Sequence, residues 1–270
     1  MSNLDAGQIR QTLVAKTRER LDELEVFGSI ASTNTYLIAQ PPPPPERFRV
    51  AIADHQTSGR GRHYRRWVSP PGAGLYLSIA YSFEERPEQL PSLTLATGVG
   101  VINALQELGV EGVTLKWPND IVALDGKLGG ILTEIQSRPS DGVTVVTGIG
   151  LNLDFPDDAE ASIESDWAAR TVDLSNICDP LPERSQVAAV LLEHVHSVMR
   201  KFAAYGFAQF VENWSEYDWL SDREVIVDQS DKQIVGVAAG VDKDGALLVN
   251  TESGQARVIS GSVMVAGLAA

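Results

Sequence analysis

Apolar positions recur at two spacings along this chain, and the spacing switches several times. Ile9, Leu13, Leu21 and Leu24 fall on or near one helical face, which predicts a single amphipathic helix over residues 5–25. VFGSI (26–30) reads as a short strand, and Ser32 or Thr33 is placed to cap a helix through Tyr36 and Leu37. FRVAIAD (48–54) and the alternating GLYLSIAYSF (74–83) predict strands. Pro91 opens a helix to about residue 108 that Gly109 stops. VTLKW (113–117) is a strand, and IVAL and KLGGILTEI flank Asp125-Gly126 as a two-residue hairpin turn. VTVVTGIGLNLDF (143–155) is a further strand whose glycines imply a close approach to its backbone. Residues 156–182 are polar and irregular, and carry Trp167. A long helix from about Pro182 to Tyr205 stops at Gly206, and a shorter one holds Phe210 and Trp214.

After Ser221 the pattern changes. EVIVDQ, KQIVGVAAGVD, GALLVN, QARVIS and SVMVAG are short strands between turns rich in Asp, Gly and Ser, the pattern of a small five- or six-strand barrel. Two domains are expected, 1–220 and 221–270. Five prolines, Pro41 to Pro45, forbid helix or central strand and read as a stiff surface connector.

Charge sharpens this picture. The net charge is -14, which disfavours broad nucleic-acid binding but leaves room for a local basic site. The segment QTSGRGRHYRRW (56–67) sets Arg60, Arg62, Arg65 and Arg66 in one loop. Gly59 and Gly61 let its backbone turn tightly, and arginine forks match carboxylate and phosphate oxygens. The loop is either built to hold an anion or is a solvated basic loop. Lysine is scarce, with 6 in the chain, yet Lys116 and Lys127 both lie in KWPNDIVALDGK. Cys178 is the only cysteine, so no internal disulfide forms. No apolar signal core or membrane-length run is visible, which points to a cytoplasmic location. GVG (98–100) and GIG (148–150) do not complete a dinucleotide fingerprint, no Walker A sequence exists, and the four histidines lack metal spacing. No protein metal ligand is assigned.

What remains is a constellation in order: Ser32-Thr33-Asn34, GRGR followed by RxW, KWPND, GKLGGIL and GIGLN. Together these resemble the biotin protein ligase family over about residues 26–268. The resemblance implies an α+β fold, a mixed sheet flanked by helices like that of class II aminoacyl-tRNA synthetases, with a small SH3-like C-terminal barrel. It implies activation of biotin with ATP and Mg²⁺ to biotinyl-5′-adenylate, then transfer to a lysine of a biotin carboxyl carrier domain. By the same resemblance, biotin is held by Ser32, Thr33, Asn34, Gln56, Gly59, Arg60, Gly61, Arg62 and Lys127. Trp67, Asn119, Asn152 and Trp167 take the nucleotide; Arg62, Lys127 and Asp120 are catalytic. Trp67 and Trp117 pack the loop and pocket walls, or simply pack the core.

Asp120 has two readings. It orients or deprotonates the incoming lysine, or it orients Lys116 or binds the metal. Ser58 stands where the family commonly has alanine, and Tyr64 where it often has glycine, which puts the loop's kinetics apart. Some relatives carry an N-terminal winged helix and repress transcription; about thirty residues precede Ser32 here, so the expectation is a ligase that does not bind DNA, a monomer or weak dimer. A lipoate ligase with the same fold is the alternative enzyme, and an arginine-loop binding module without chemistry is the alternative class.

Overall fold

The protein is described by a computed structural model covering residues 4–137, 142–155, 171–229 and 232–267. The central element is a seven-stranded mixed sheet. Its strands are β1 (Leu21–Phe27), β2 (Phe48–Ala53), β3 (Gly74–Phe83), β4 (Val113–Lys116), β5 (Asp120–Ala123), β6 (Gly126–Ser137) and β7 (Val143–Asn152). They run in the order β1-β2-β3-β7-β6-β5-β4, with β1 parallel to β2 and every other neighbour antiparallel. Among the described residues, six α-helices accompany it: α1 (Ala6–Thr12), α2 (Ala15–Arg20), α3 (Thr33–Ala39), α4 (Leu93–Glu107), α5 (Arg184–Tyr205) and α6 (Val211–Tyr217). A second, antiparallel sheet holds β8 (Glu224–Gln229), β9 (Lys232–Val241), β10 (Leu247–Thr251), β11 (Gly254–Val258) and β12 (Ser262–Val265) in the order β11-β10-β9-β8-β12. Among the described residues, no helix is long and apolar enough to cross a membrane.

Period-two alternation divides the central sheet into two faces. Leu75, Leu77, Ile79, Tyr81 and Phe83 of β3 join Val145 and Ile149 of β7 in the main core beneath α4 and α5. Ala80 and Val146 belong to a separate small cluster with Leu37 of α3 and Ala51 of β2. Helix α3 is short because Gln40 leads into the five prolines. It therefore leaves part of that face uncovered.

Two expectations need correction. The single helix over 5–25 is two short helices and a strand, so the expected 26–30 strand begins at Leu21 instead. Helical spacing holds as far as Leu13, where the backbone turns extended. LDELE has good helix formers, but Leu24 pairs with Val50, and Asp22 meets Arg49 across the strands at 2.7 Å. Sheet pairing with a cross-strand ion pair outweighs intrinsic propensity there. The β5–β6 turn also lies one residue earlier than expected. Leu124 and Asp125 occupy its two left-handed positions, at φ 49° and 53°, and Ala123 pairs with Gly126. The Asp125 carboxylate accepts hydrogen bonds from Trp219 (2.8 Å) and Arg223 (3.3 Å). That anchoring offsets the strain of a branched residue at positive φ.

Candidate active site

The uncovered face of the sheet is a cleft with an empty volume of about 940 Å³, open mouth included. Four segments build it: the start of α3, the arginine loop, the β4–β5 connection with β6, and the end of β7. Of the residues expected at the site, Ser32, Thr33, Asn34, Gln56, Arg60, Gly61, Arg62, Trp67, Asn119, Lys127 and Asn152 all line it.

Hydrogen bonds fix the α3 end before any ligand arrives. Ser32 caps the helix by accepting from the Thr35 amide. The Gln56 side-chain oxygen accepts from the Thr33 amide (2.9 Å) and hydroxyl (3.1 Å). The Ser78 hydroxyl lies 2.7 Å from Thr33 Oγ1 and 2.6 Å from Asn34 Oδ1. Gly148 makes room for Asn34, because a Cβ there would collide with Asn34 Oδ1.

The arginine loop is a closed hairpin. The Trp67 amide donates to Gly59 (2.9 Å), and the Gly61 amide donates to Arg65 (2.8 Å). Gly59 is required, since a Cβ would sit 2.6 Å from the Trp67 carbonyl. His63, not Tyr64, takes the left-handed conformation at the tip (φ 53°). The Trp67 indole lies against Gly150 of β7 and Gly130 of β6, where a Cβ would stand 2.8 Å and 3.3 Å from the ring. The close approach implied by the β7 glycines is thus made by Asn34 and Trp67. Asn119 is locked to β6: it donates to the Ile131 carbonyl at 3.0 Å, and the Ile131 amide donates back at 2.9 Å.

A cationic cluster surrounds one buried carboxylate. Asp120 lies 2.7 Å from Lys127 and 3.9 Å from Lys116; their side chains are 5, 14 and 2 % exposed. Burial brings the Lys116 ammonium down to about 8, against the opposing pull of Asp120 and with Lys127 and Arg62 adding to the depression. Burial also lowers Arg62, which Asp120 partly offsets. Lys127 stands 5.5 Å over the Trp67 ring. Asp120 does not itself line the cleft.

The Asn152 amide nitrogen donates to the carbonyls of Lys127 (3.2 Å) and Val172 (3.0 Å), while its buried Oδ1 has no partner among the described residues. A buried lone acceptor at the cleft wall suits an amino-bearing base. Trp167 lies outside the described residues. Trp117 is 2 % exposed and donates from its indole to the Gly245 carbonyl of the small barrel at 3.1 Å, so it packs the domain junction rather than the cleft. The barrel also reaches the loop, where Arg62 donates to the Gly261 carbonyl at 3.4 Å.

Sequence reasoning missed Tyr76, Ser78, Ile131 and Glu134 as parts of the site or its support, while Arg65 and Arg66 of the expected anion loop do line the cleft. Ser78 had a signal, as a polar position inside a largely apolar strand; Glu134, among Thr133, Gln136 and Ser137, had none.

The sequence matches the model of the biotin/lipoate A/B protein ligase family over residues 26–152 and that of the biotin protein ligase C-terminal domain over 220–265. It is 33% identical over 233 residues to the bifunctional ligase/repressor BirA of Escherichia coli (strain K12), covering 84% of this chain and 69% of that protein. It is 29% identical over 266 residues to a biotin–[acetyl-CoA-carboxylase] ligase of Mycobacterium tuberculosis, covering 97% and 95%. The biotin protein ligase from Aquifex aeolicus, solved in complex with biotin and ATP, superposes with a TM-score of 0.75 at 27% identity, over 90% of this chain and 98% of that one. Sharing a third of its aligned positions with such a ligase over most of both lengths, the chain belongs to the biotin protein ligase family.

Proposed function

We propose that this chain activates biotin with ATP and transfers it to a lysine of a biotin carboxyl carrier domain. The observation that carries this reading is the meeting of Arg62 and Lys127 in a cleft with the polar α3 end and the Asn152 acceptor. In the first step a biotin carboxylate oxygen attacks the α-phosphorus, the α–β phosphoanhydride bond breaks and pyrophosphate leaves. Two anions must approach each other, so fixed cations with little access to water reduce the repulsion and stabilise charge developing on the α-phosphoryl oxygens. In the second step the acceptor amine attacks the acyl carbon, the acyl–oxygen bond breaks, AMP leaves and the amine gives up a proton.

Ser32, Thr33 and Asn34 at the start of α3 hold the ureido end of biotin, and Gln56 lines the biotin pocket. Gly59, Arg60 and Gly61 shape the loop that brings Arg62 to the carboxylate. Trp67, Asn119 and Asn152 face the nucleotide, and Trp167 is proposed to join them. Asp120, 2.7 Å from the Lys127 ammonium, aims that side chain. Its amine-directed role is tested with Asp120→Asn in separate half-reactions: normal adenylation with slow transfer supports that role, and unchanged transfer removes it.

Among the described residues, no group of three or more histidine, cysteine, aspartate or glutamate side chains forms a metal cage. Asp120 is engaged by lysine. Brought in with ATP, magnesium would neutralise charge on the leaving pyrophosphate. Residues 1–220 form the catalytic domain in this proposal, and 221–270 a barrel that braces Arg62 and Trp117.

The test is exchange of labelled pyrophosphate into ATP with biotin, lipoate and octanoate in parallel. Exchange with biotin alone is expected. Exchange with lipoate instead replaces biotin by the related acid, and exchange with none sinks the adenylation chemistry.

A further inference from the structure

Between α3 and the arginine loop lies one carboxylate that the chemistry above does not use. Glu134 projects from β6 with its side chain 25 % exposed, beside an Arg60 side chain that is 31 % exposed. Arg60 Nη2 donates toward Glu134 Oε1 and Oε2, both at 3.0 Å. The Asn34 side-chain nitrogen donates to Oε2 at 2.8 Å and to the Leu132 carbonyl at 3.2 Å. A single carboxylate oxygen thus serves both the start of α3 and the arginine loop.

Each contact has a consequence. Arg60 forms a backbone bridge with Arg66, at the stem of the hairpin closed by the Trp67 and Gly61 amides. Holding the Arg60 side chain on β6 holds that stem, and leaves the Arg62–Tyr64 turn beyond it to respond to a ligand. For Asn34, Glu134 and the Leu132 carbonyl are both acceptors, so only the amide nitrogen can face them. The side-chain oxygen is then directed to the Ser78 hydroxyl at 2.6 Å. A flipped amide would set its oxygen against a carboxylate and a carbonyl, at the cost of two hydrogen bonds.

We infer that Glu134 is a positioning residue that couples the floor of the acid pocket to the arginine loop. It fixes which atom Asn34 presents and pins the loop stem, so that acid binding and loop placement depend on one carboxylate. The identity of the acid rests on the biotin reading; the latch itself does not.

The near-isosteric Glu134→Gln variant decides this, with Glu134→Ala and Arg60→Met beside it. Gln keeps one acceptor but turns an N–H₂ toward Arg60 or Asn34, so a donor faces a donor. Three properties are measured: biotin affinity by calorimetry, KM and kcat by pyrophosphate exchange, and hydrogen exchange of the Gly61 and Trp67 amides. We expect roughly tenfold weaker biotin binding and a matching rise in KM, with kcat at saturation within about twofold. The two amides exchange about tenfold faster, with the melting temperature held. On the Arg60→Met background, Glu134→Gln adds much less to amide exchange than it does alone. A merely structural role would instead lower the melting temperature and give additive effects. Native-like Glu134→Gln with unchanged affinity and unchanged amide exchange overturns the inference. If the wild type binds no biotin, the activity reading fails, while amide exchange still upholds or overturns the latch.

Discussion

The two faces of the central sheet are made by the same strands, one residue apart, and on β3 both are buried. On β3, Leu75, Leu77, Ile79, Tyr81 and Phe83 pack in the main core, while Tyr76 lines the cleft and Ser78 supports Thr33 and Asn34. On β7, Val145 and Ile149 alternate with Gly148, Gly150 and Asn152. Gly148 and Gly150 of β7 are only half-buried, whereas all ten residues of β3 are buried, so on that strand burial does not separate core from site. Volume does. The helix-covered face fills its space with large side chains, and the other face keeps small or polar ones so that space remains. A change on the first face should therefore be felt in stability, and one on the second in binding or rate.

The largest effect expected from this contrast is on the cleft side. Lys127→Met removes a cation placed where charge develops, without emptying the core. Biotin-dependent pyrophosphate exchange should slow by roughly 10³-fold, about 4 kcal/mol in the barrier. The protein should remain folded, with a lower urea midpoint because the buried Asp120 loses its 2.7 Å partner. A loss below about tenfold would mean that Arg62 carries the step without it.

Ile79→Ala is the counterpart on the helix face. Ile79 is fully buried in the main core. Its truncation should cost about 3 kcal/mol by urea unfolding, from lost transfer energy and the cavity left behind. Biotin affinity of the folded protein should not change. An equal loss of affinity would show that the two faces are mechanically coupled, which the comparison denies.

Legibility in the sequence followed the same division. The strands were readable because β2 and β3 are continuous apolar or alternating runs whose two possible states differ greatly in buried area. Helix α4 announced its end with Gly109, at φ 80°. The motif residues were readable because arginine is conspicuous in an acidic chain and because their order along it resembles one family. What was not readable depended on partners distant in sequence. Leu21 enters a strand only because Phe48 and its neighbours are there to pair with. Leu124 adopts a left-handed turn because Trp219 and Arg223 hold Asp125. Ser78 and Glu134 acquire a purpose only when the fold sets them beside Asn34, 44 and 100 residues away. Gly148 and Gly150 signalled a close approach, but not that Asn34 and Trp67 would make it.

A pH experiment sharpens the helix face further. His196 of α5 is 2 % exposed, packed against Phe48 with ring centroids 4.7 Å apart and near Tyr81 and Thr17. Burial, helped by Arg200, Arg20 and Lys16, pulls its imidazole down to about 4. The unfolded chain then takes up a proton below its ordinary value of 6.5, while the folded protein does not until about 4. Its contribution to stability is complete above pH 6.5, falls as pH drops through that window and levels off below about 4. Asp218, raised to about 6 by burial, opposes this slope, so the wild-type curve alone mixes the two. The difference between wild type and His196→Gln isolates the histidine. Relative to pH 7.5, the wild type should lose about 2 kcal/mol more than the variant at pH 5. Parallel curves would mean that the imidazole is protonated inside the core.

The smallest effect lies where the two faces share a strand. In Gly150→Ala the new Cβ would stand 2.8 Å from the Trp67 indole. The β7 backbone cannot yield easily, because Gly150 pairs with Tyr76 on one side and Gly130 on the other. The indole must move instead, and with it the ring under Lys127 and the loop stem closed by the Trp67 amide. Overpacking of this kind costs about 1–2 kcal/mol, so ATP affinity should fall about tenfold. Biotin affinity should hold, since Thr33, Asn34 and Gln56 keep their own hydrogen bonds. Val145→Ala, on the same strand but in the main core, should show the opposite: lower stability and unchanged ATP binding. If Gly150→Ala binds ATP like the wild type, Trp67 is not the wall that sets the nucleotide side of the cleft. The glycine would then be there for the sheet and not for the ligand.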